Sequence, residues 1–578
     1  MAIIGIDLGT TNSLAVAYRN GKVEMIPNQF GEYLTPSVVS IDEKNQLIVG
    51  KAAKERLVTH PMHTTCLFKR NMGTNRQVKL GKKGFLPEEL SALVVKQLVA
   101  DAKAYLGEEI EELVISVPAY FNAKQRKATK NVGQILGIKV ERLINEPSAA
   151  AIACHQGDDY ETFVVFDFGG GTLDVSVVDC FDNVVSIIAI AGDNQIGGSD
   201  FDLAIAKYFC EVNNQDFEEL DAAKKESLLL NSERVKIALQ TKDQVTMIAN
   251  VNGIEYQCVI TPALLKQITA PLFNRIKMII GKAVKDSGFG VDEIDSLILA
   301  GGSSYMPIVK DYLINLLKIP VVEPNQIDYL VVQGLGKYIG IKQRDETIKN
   351  MVVTDICPFS LSTATYNELD PSNSYAKVVI PRNTVLPASY TKQLAVVELG
   401  QREVTVEVYQ GEAMYAKDNL LLGKTVIKVP KNRKVKECFN LTYSYDINSM
   451  LYVEVEIISS GQKQVLMIGD GSVLQPVDNI KNLQTIKDIS LKLNQEPQID
   501  LLMERANRLY EELNDYNRDN LQQVIREFNL IIQGCNNNLR KKMLTIGQFE
   551  DILNQYEQHN SIDNLDIFVN DDEGELVS

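Results

Sequence analysis

The sequence has no C-x-x-C pair, few histidines, an excess of acid over base, and no run of about 18 apolar residues. Each lack excludes something. Without a long apolar run, no membrane-crossing helix is expected. Cys66, Cys154, Cys180, Cys210, Cys258, Cys357, Cys438 and Cys535 are spread too thinly over 578 residues for a disulfide framework, so a reducing, cytoplasmic home is expected. His60 and His63 are neighbours, but no cysteine or acidic cluster joins them, and two surface histidines are favoured over a metal site. The formal net charge of −16 repels phosphate backbones, which argues against a nucleic-acid partner. The opening MAIIGIDLGTTNS lacks the basic-then-apolar grammar of a secretory leader.

What is there is ordinary for a soluble globular protein: 45% hydrophobic and 23% charged residues, over a length that suggests about four units. Residues 3–8 (IIGIDL) read as a short strand, GTTNS as a turn, and LAVAY as a second strand. The same grammar returns at 162–179 as TFVVFDF, GGGT and LDVSVVD. Two such copies imply a duplicated α/β fold closing on a ligand between its halves. Residues 87–107 and 122–137 carry helical patterns that end in Gly107 and Gly137, with a buried strand at 112–120 between them. The unit runs over 1–345. A linker follows over 346–355. Strands such as VTVEVYQGE and MLYVEVEII, which alternate or run apolar, predict a β-sandwich or β-barrel-like module over 356–475. Amphipathic helices fill 476–561, and an acidic, disordered tail is expected over 562–578.

The two hairpins carry the chemistry. Glycines let backbone N–H groups approach a phosphate closely, and threonine hydroxyls add donors. Asp7 and Asp167 stand just before the two turns, where a pair of carboxylates beside phosphates suits Mg²⁺. One such hairpin alone reads as an ordinary turn with a buried acid; two matched copies point to phosphate binding. The Gly turns at Gly197–Gly198 and Gly301–Gly302 are weak alone and suit the same cleft.

IGIDLGTTNS, FKR at 68–70, VPAYF at 117–121, INEPSAAA at 144–151, FDFGGGTLD at 166–174 and GGSDFD at 197–202 together resemble the DnaK-type, seventy-kilodalton heat-shock chaperones, over residues 3 to about 460. FGEYLTPS and TDICPFSL are most similar to the HscC-like bacterial branch. The resemblance implies a multidomain chain: an actin-like ATPase domain, an apolar linker, a β-sandwich holding extended peptide, and a helical lid. It implies an ATP-driven, stress-related chaperone that binds and releases apolar segments of unfolded proteins during slow hydrolysis to ADP and phosphate.

Carried onto this sequence, the resemblance gives Asp7, Lys69, Glu146, Asp167 and Thr172 as the catalytic group. Asp7 and Asp167, with Glu146 through water, would organise Mg²⁺, and K⁺ is a second candidate cation. Gly9, Thr10, Thr11, Asn12, Gly169, Gly170, Gly171, Gly197 and Gly198 would meet the nucleotide's phosphate side. Glu233, Lys236, Gln240, Gly301, Gly302, Ser303 and Tyr305 would border adenosine, with Tyr305 where the family usually has an arginine. Taken alone, Lys69 would be a solvated lysine, and Glu233 with Lys236 a surface ion pair three residues apart. Val404 and Val406 match peptide-groove positions, with ordinary core as the plain alternative. Pro118, Arg126, Lys130, Arg142, Asn145, Val352, Val353 and Asp355 match positions that couple the domains or receive a J-domain partner. An exchange factor and a monomeric state go with the family pattern. A small-molecule kinase on the same fold would not need residues 356–578, and a nucleotide binder without hydrolysis would not need the whole catalytic group. The helical end is expected to form a short lid over the groove.

Overall fold

The computed structural model describes residues 2–154, 160–181, 184–324, 326–345, 348, 351–367, 370, 373–432, 434–446, 450–469, 472–473, 489–492, 496–513, 515–535 and 538–559. The expected tail over 562–578 and part of the 346–355 linker lie outside the described residues.

The long-spaced repeat becomes two matched halves. In the first, strand Ala2–Asp7 runs antiparallel to Asn12–Arg19 and parallel to Ile110–Val117, in a six-stranded sheet. In the second, Glu161–Phe168 runs antiparallel to Leu173–Phe181 and parallel to Ser296–Ala300, in another six-stranded sheet. Both central strands are near-continuous apolar runs, as strands covered on both faces must be. Ile4, Ile6, Phe163, Val164, Val165 and Phe166 are all fully enclosed. Helix Pro87–Leu106 covers the first sheet, and its chain leaves through Gly107 at φ 69°. Helix Ala123–Leu136 starts with reciprocal bonds between Asn122 and Gln125, and ends at Gly137 with φ 70°. Between the halves, helix Leu330–Lys342 lies tightly against Glu146–Cys154; a Cβ on Gly334 would stand 1.8 Å from the Ala149 carbonyl oxygen.

Val352–Thr354 adds a sixth strand to the second sheet, parallel to Val184–Asp193, with Val353 opposite Val185. The chain then forms two facing antiparallel sheets. One is Tyr375–Ile380, Leu361–Thr365, Glu403–Gln410 and Leu420–Lys428; the other begins Ala388–Ala395, Cys438–Tyr445, Met450–Ile457, Lys463–Gly469. Phe439, Leu441, Tyr443 and Tyr445 are buried at every second position, the period of a strand with one covered face.

Helices Pro497–Glu512, Asp515–Gly534 and Leu539–His559 form a bundle around Leu509, Phe528, Phe549 and Leu553, with the two phenyl rings stacked at 4.0 Å. Among the described residues this bundle has its main contacts with the first half rather than with the sandwich, over which the resemblance implies a lid. It packs on helix Lys51–Thr59 of the first half, and Ser490–Leu491 pairs with Gln46–Leu47. The reason is chemical: Arg508 is wholly enclosed, and one of its carboxylate partners is Glu55 of that helix. All eight cysteines are free thiols. Among the described residues no helix is long and apolar enough to cross a membrane.

Candidate functional site

A cavity of about 370 Å³ lies where the two halves face each other. Asp7, Gly9, Thr10, Thr11, Asn12, Lys69, Glu146, Asp167, Gly169, Gly170 and Thr172 line one end. Glu233, Lys236, Gln240, Gly301, Gly302, Ser303 and Tyr305 line the other. The two glycine turns confront each other across very little space. A Cβ on Gly170 would fall 2.2 Å from Thr11, and one on Gly171 would fall 2.3 Å from Thr10. These glycines therefore leave their N–H groups bare. Gly171, Gly197 and Gly198 stand just behind the lining. Gly198 N–H donates to the Gly169 carbonyl at 3.0 Å and Ser199 N–H to that of Gly170 at 2.9 Å, so a helix start braces the second turn.

Lys69 reaches the cavity from a single 3-10 turn, Phe68–Asn71, entered through Leu67 with its backbone in the left-handed region at φ 55°. Its Nζ donates to Glu146 Oε1 at 2.9 Å, with both side chains almost fully enclosed. It is not the solvated lysine that the residue alone suggests. Ser116 Oγ donates to Asp7 Oδ1 at 2.6 Å. Asp7 is pushed up to about 6, by burial first and then by Glu146, with Lys69 opposing. Asp167 is raised well above its ordinary value by burial, and further by Glu146, Asp174 and Asp7, with Lys69 opposing. So much buried negative charge suits a bound cation. Among the described residues no three His, Cys, Asp or Glu side chains form a metal cage by themselves. The hydroxyl of Thr10 is buried without a hydrogen-bond partner, a donor aimed where phosphate oxygens would lie.

The other end is held by pairs that the sequence did not suggest. Glu233 and Lys236 do not bond each other. Lys54 Nζ, from outside the lining, meets Glu233 Oε2 at 2.5 Å, and Lys236 Nζ meets Asp202 at 2.7 Å. Burial pushes Glu233 up, but Lys54, Lys236 and Arg234 together bring it below its ordinary value. Burial takes Asp202 up to about 6 in spite of Lys236. Four further acids were missed. Asp202 and Asp328 line the cavity, Asp200 binds Arg70 through both carboxylate oxygens, and Asp174 lies opposite Asp167 in register, pushed to about 7 by burial and Glu146. Asp174 could have been found: counting outward from the GGGT turn pairs it with Asp167.

A second cluster links the halves to the sandwich. Arg126 donates to Asn145, Asn145 Nδ2 to Asp355 Oδ1 at 2.7 Å, and Ser148 Oγ to the same oxygen at 2.9 Å. Gln410 of the sandwich accepts from Ala123 N–H at 2.9 Å, Phe359 packs on Tyr120 at 4.6 Å, and Arg382 pairs with Asp286 at 2.7 Å. Val353 is half-buried, while Val352 is 51% exposed. Pro118 is buried at the head of this region, and Lys130 is half-buried on the Ala123–Leu136 helix. Arg142 turns the other way and donates to Tyr338 at 3.0 Å. Val404 and Val406 are 7% and 2% exposed and belong to the apolar layer between the two sheets.

A family model described as Hsp70 protein matches residues 3–559. Among curated proteins, a chaperone protein DnaK of Thermotoga neapolitana is 34% identical over 486 residues, 81% of this chain and 80% of that protein. Those of Thermotoga petrophila and Thermotoga maritima are each 33% identical over 526 residues, 88% of this chain and 86% of theirs.

Proposed function

This chain belongs to the Hsp70 family and is an ATP-dependent molecular chaperone with ATPase activity, and from that premise we propose that the cavity between its two halves is the hydrolytic centre. As such chaperones do, it binds nucleotide and unfolded polypeptide. The observation that carries the proposed site is the enclosed Lys69–Glu146 pair beside two facing glycine turns.

In this reading the phosphates lie against the N–H groups of the turns at Gly9–Asn12 and Gly169–Thr172, and accept from the hydroxyls of Thr10, Thr11 and Thr172. Mg²⁺ would be held near Asp7 and Asp167 and would offset the negative charge that gathers on the transferred phosphoryl group. K⁺ is the second cation we assign here. Glu146 accepts from Lys69 and orients water by hydrogen bonding. Lys69 supplies fixed positive charge where the γ-phosphate is attacked, and positive charge already in place is worth most in a site closed to water. Glu233, Lys236, Gln240, Ser303 and Tyr305 border the nucleoside, and Tyr305 offers a ring where the family usually offers a guanidinium.

The proposed division is an actin-like ATPase domain over 1–345, a linker over 346–355, a peptide-binding sandwich over 356–475 and a helical end over 476–561. The sandwich holds an extended apolar segment near Val404 and Val406. Coupling runs through Arg126, Asn145, Val353 and Asp355, and the same face receives a J-domain partner. An exchange factor, a monomeric state and a cytoplasmic home complete the proposal. ATP must bind the docked and undocked arrangements with different affinity, because a ligand shifts an equilibrium only by that difference. The test is phosphate release, measured with and without an unfolded peptide. Peptide-stimulated hydrolysis that Lys69→Ala abolishes supports the site; hydrolysis that survives the substitution overturns it.

A further inference from the structure

The mouth of the cavity has two rims. Helix Lys51–Thr59, which does not itself line the cavity, forms the first by facing helix Ala222–Ala238, the second, which carries the lining residues Glu233 and Lys236. The Lys54–Glu233 pair joins them directly. The C-terminal bundle grips both. On the first rim, Arg508 meets Glu55, and Arg56 Nη1 meets Glu504 Oε1 at 2.9 Å with both side chains nearly enclosed. On the second rim, Ser227 Oγ donates to Glu512 Oε1 at 3.0 Å, and Arg234 Nη2 lies 3.3 Å from Glu557 Oε1. Within the bundle, Arg508 also binds Glu512 and Glu557, and Arg505 binds Glu557 at 2.5 Å. Four arginines thus face four glutamates with no large excess of either sign. An apolar patch lies under them: Leu230 of the second rim packs with Ala53 and Leu57 of the first, and Leu501 of the bundle rests on the same cluster.

Nucleotide bound between the halves leaves by parting the rims. The rims cannot part while Glu557 holds Arg234 and Arg508 holds Glu55, because the bundle spans the gap. We propose that the C-terminal bundle is a retention clasp for the nucleotide, and that Arg508, Glu557 and Arg234 are its positioning residues. The inference rests on the reading that the cavity is the nucleotide site. None of the three lines that cavity, so they act by holding the two rims at their closed spacing. The coupling is reciprocal: nucleotide that holds the rims together also favours the docked bundle, by the same factor. Arg508 is wholly enclosed among Glu55, Glu512 and Glu557, so loss of one of these carboxylates leaves a buried charge short of a partner, which makes the clasp sensitive to single substitutions.

The experiment follows release of a fluorescent, non-hydrolysable ATP analogue from the full-length chain after dilution into unlabelled ATP. Arg234→Gln removes the charged contact on the second rim, leaves Ser227 with Glu512, and leaves Arg508 with its three carboxylates. Glu557→Gln weakens both grips. Release is expected to quicken about tenfold in each, with the association rate unchanged and single-turnover hydrolysis within twofold of wild type. Arg234→Lys keeps the charge and is expected to restore most of the retention, which a merely structural role at that position would not require. Release rates within twofold of wild type in both Gln variants overturn the clasp and leave the nucleotide site standing. A wild-type chain that takes up no analogue overturns the site and the clasp together. A Glu557→Gln protein that fails to fold leaves Arg234→Gln, on the rim of the ATPase half, to decide.

Discussion

Asn145 and Asp355, 210 positions apart in the chain, meet at 2.7 Å with the amide of one donating to the carboxylate of the other. Asn145 ends a strand of the first half and Glu146, the next residue, holds Lys69 in the cavity. Asp355 follows directly after the strand Val352–Thr354. The bond therefore ties the residue beside the Lys69–Glu146 pair to the residue that leads into the sandwich.

Asp355→Ala removes the shared acceptor of Asn145 and Ser148. A hydrogen bond to a charged group contributes roughly 1.5–3 kcal/mol. The expected result is at least a tenfold loss in the ability of ATP to accelerate peptide release, with basal hydrolysis retained. Peptide dissociation timed in ATP and in ADP checks it.

Lys69→Ala is expected to lower single-turnover hydrolysis more than a hundredfold while nucleotide still binds. Loss of one preorganised charge donor costs about 2.7–4 kcal/mol in comparable sites. Hydrolysis within twofold of wild type would remove Lys69 from the mechanism.

Val352 and Val353 should differ. Val353→Asp sets a charge against the apolar layer beneath the second sheet, whereas Val352 is half exposed and tolerates one better. Peptide release is expected to lose its response to ATP in Val353→Asp and to keep most of it in Val352→Asp. Equal effects would show that pairing of the strand, not burial of Val353, holds the linker down.

Gly334→Ala is a test of the fold. Its new methyl would lie 1.8 Å from the Ala149 carbonyl, which is backbone and cannot turn aside. The two helices must separate, at a cost of about 1–3 kcal/mol. Calorimetry of the full chain should show the ATPase transition several degrees lower.

Acid should weaken the clasp. Burial raises Glu557, but Arg505, Arg234 and Arg508 outweigh it and hold the carboxyl at about 2, below its ordinary 4.5. A depressed carboxylate stabilises the folded form fully above its unfolded value, and this contribution falls away as pH drops from about 4.5 towards 2. The difference in melting temperature between wild type and Glu557→Gln is expected to be largest above pH 5 and to shrink steadily below 4.5. A difference that does not vary with pH would mean that the carboxylate's charge adds nothing.

The sequence shows the glycine-turn end of the cavity because that end is local. Gly9 to Asn12 and Gly169 to Thr172 follow their acids within a few residues, and the strands on either side are plain apolar runs. The opposite end is built by distance. Lys54 finds Glu233 across 179 positions, and Lys236 finds Asp202 across 34, so the apparent pair Glu233–Lys236 dissolves into two others. The helical end was legible as helices, but not the surface that it covers in this arrangement. Its amphipathic stripes say that a face must be covered, not by what; the answer lies in Arg508, whose partner Glu55 is 453 residues away. Val404 and Val406 stay undecided on pattern alone, because a groove wall and a core both ask for alternate valines.

The linker strand has only three residues paired to the second sheet. Nothing so short would hold as a free peptide, since ordering each residue costs about 1–2 kcal/mol. Here the strand is delivered by the chain itself, at the local concentration that a tether confers. Without it, the edge of Val184–Asp193 would present unpaired N–H and C=O groups, of the sort that recruit any extended chain. A protein that handles extended chains thus carries a competing landing place on its own flank, and its linker is the occupant that keeps strangers out.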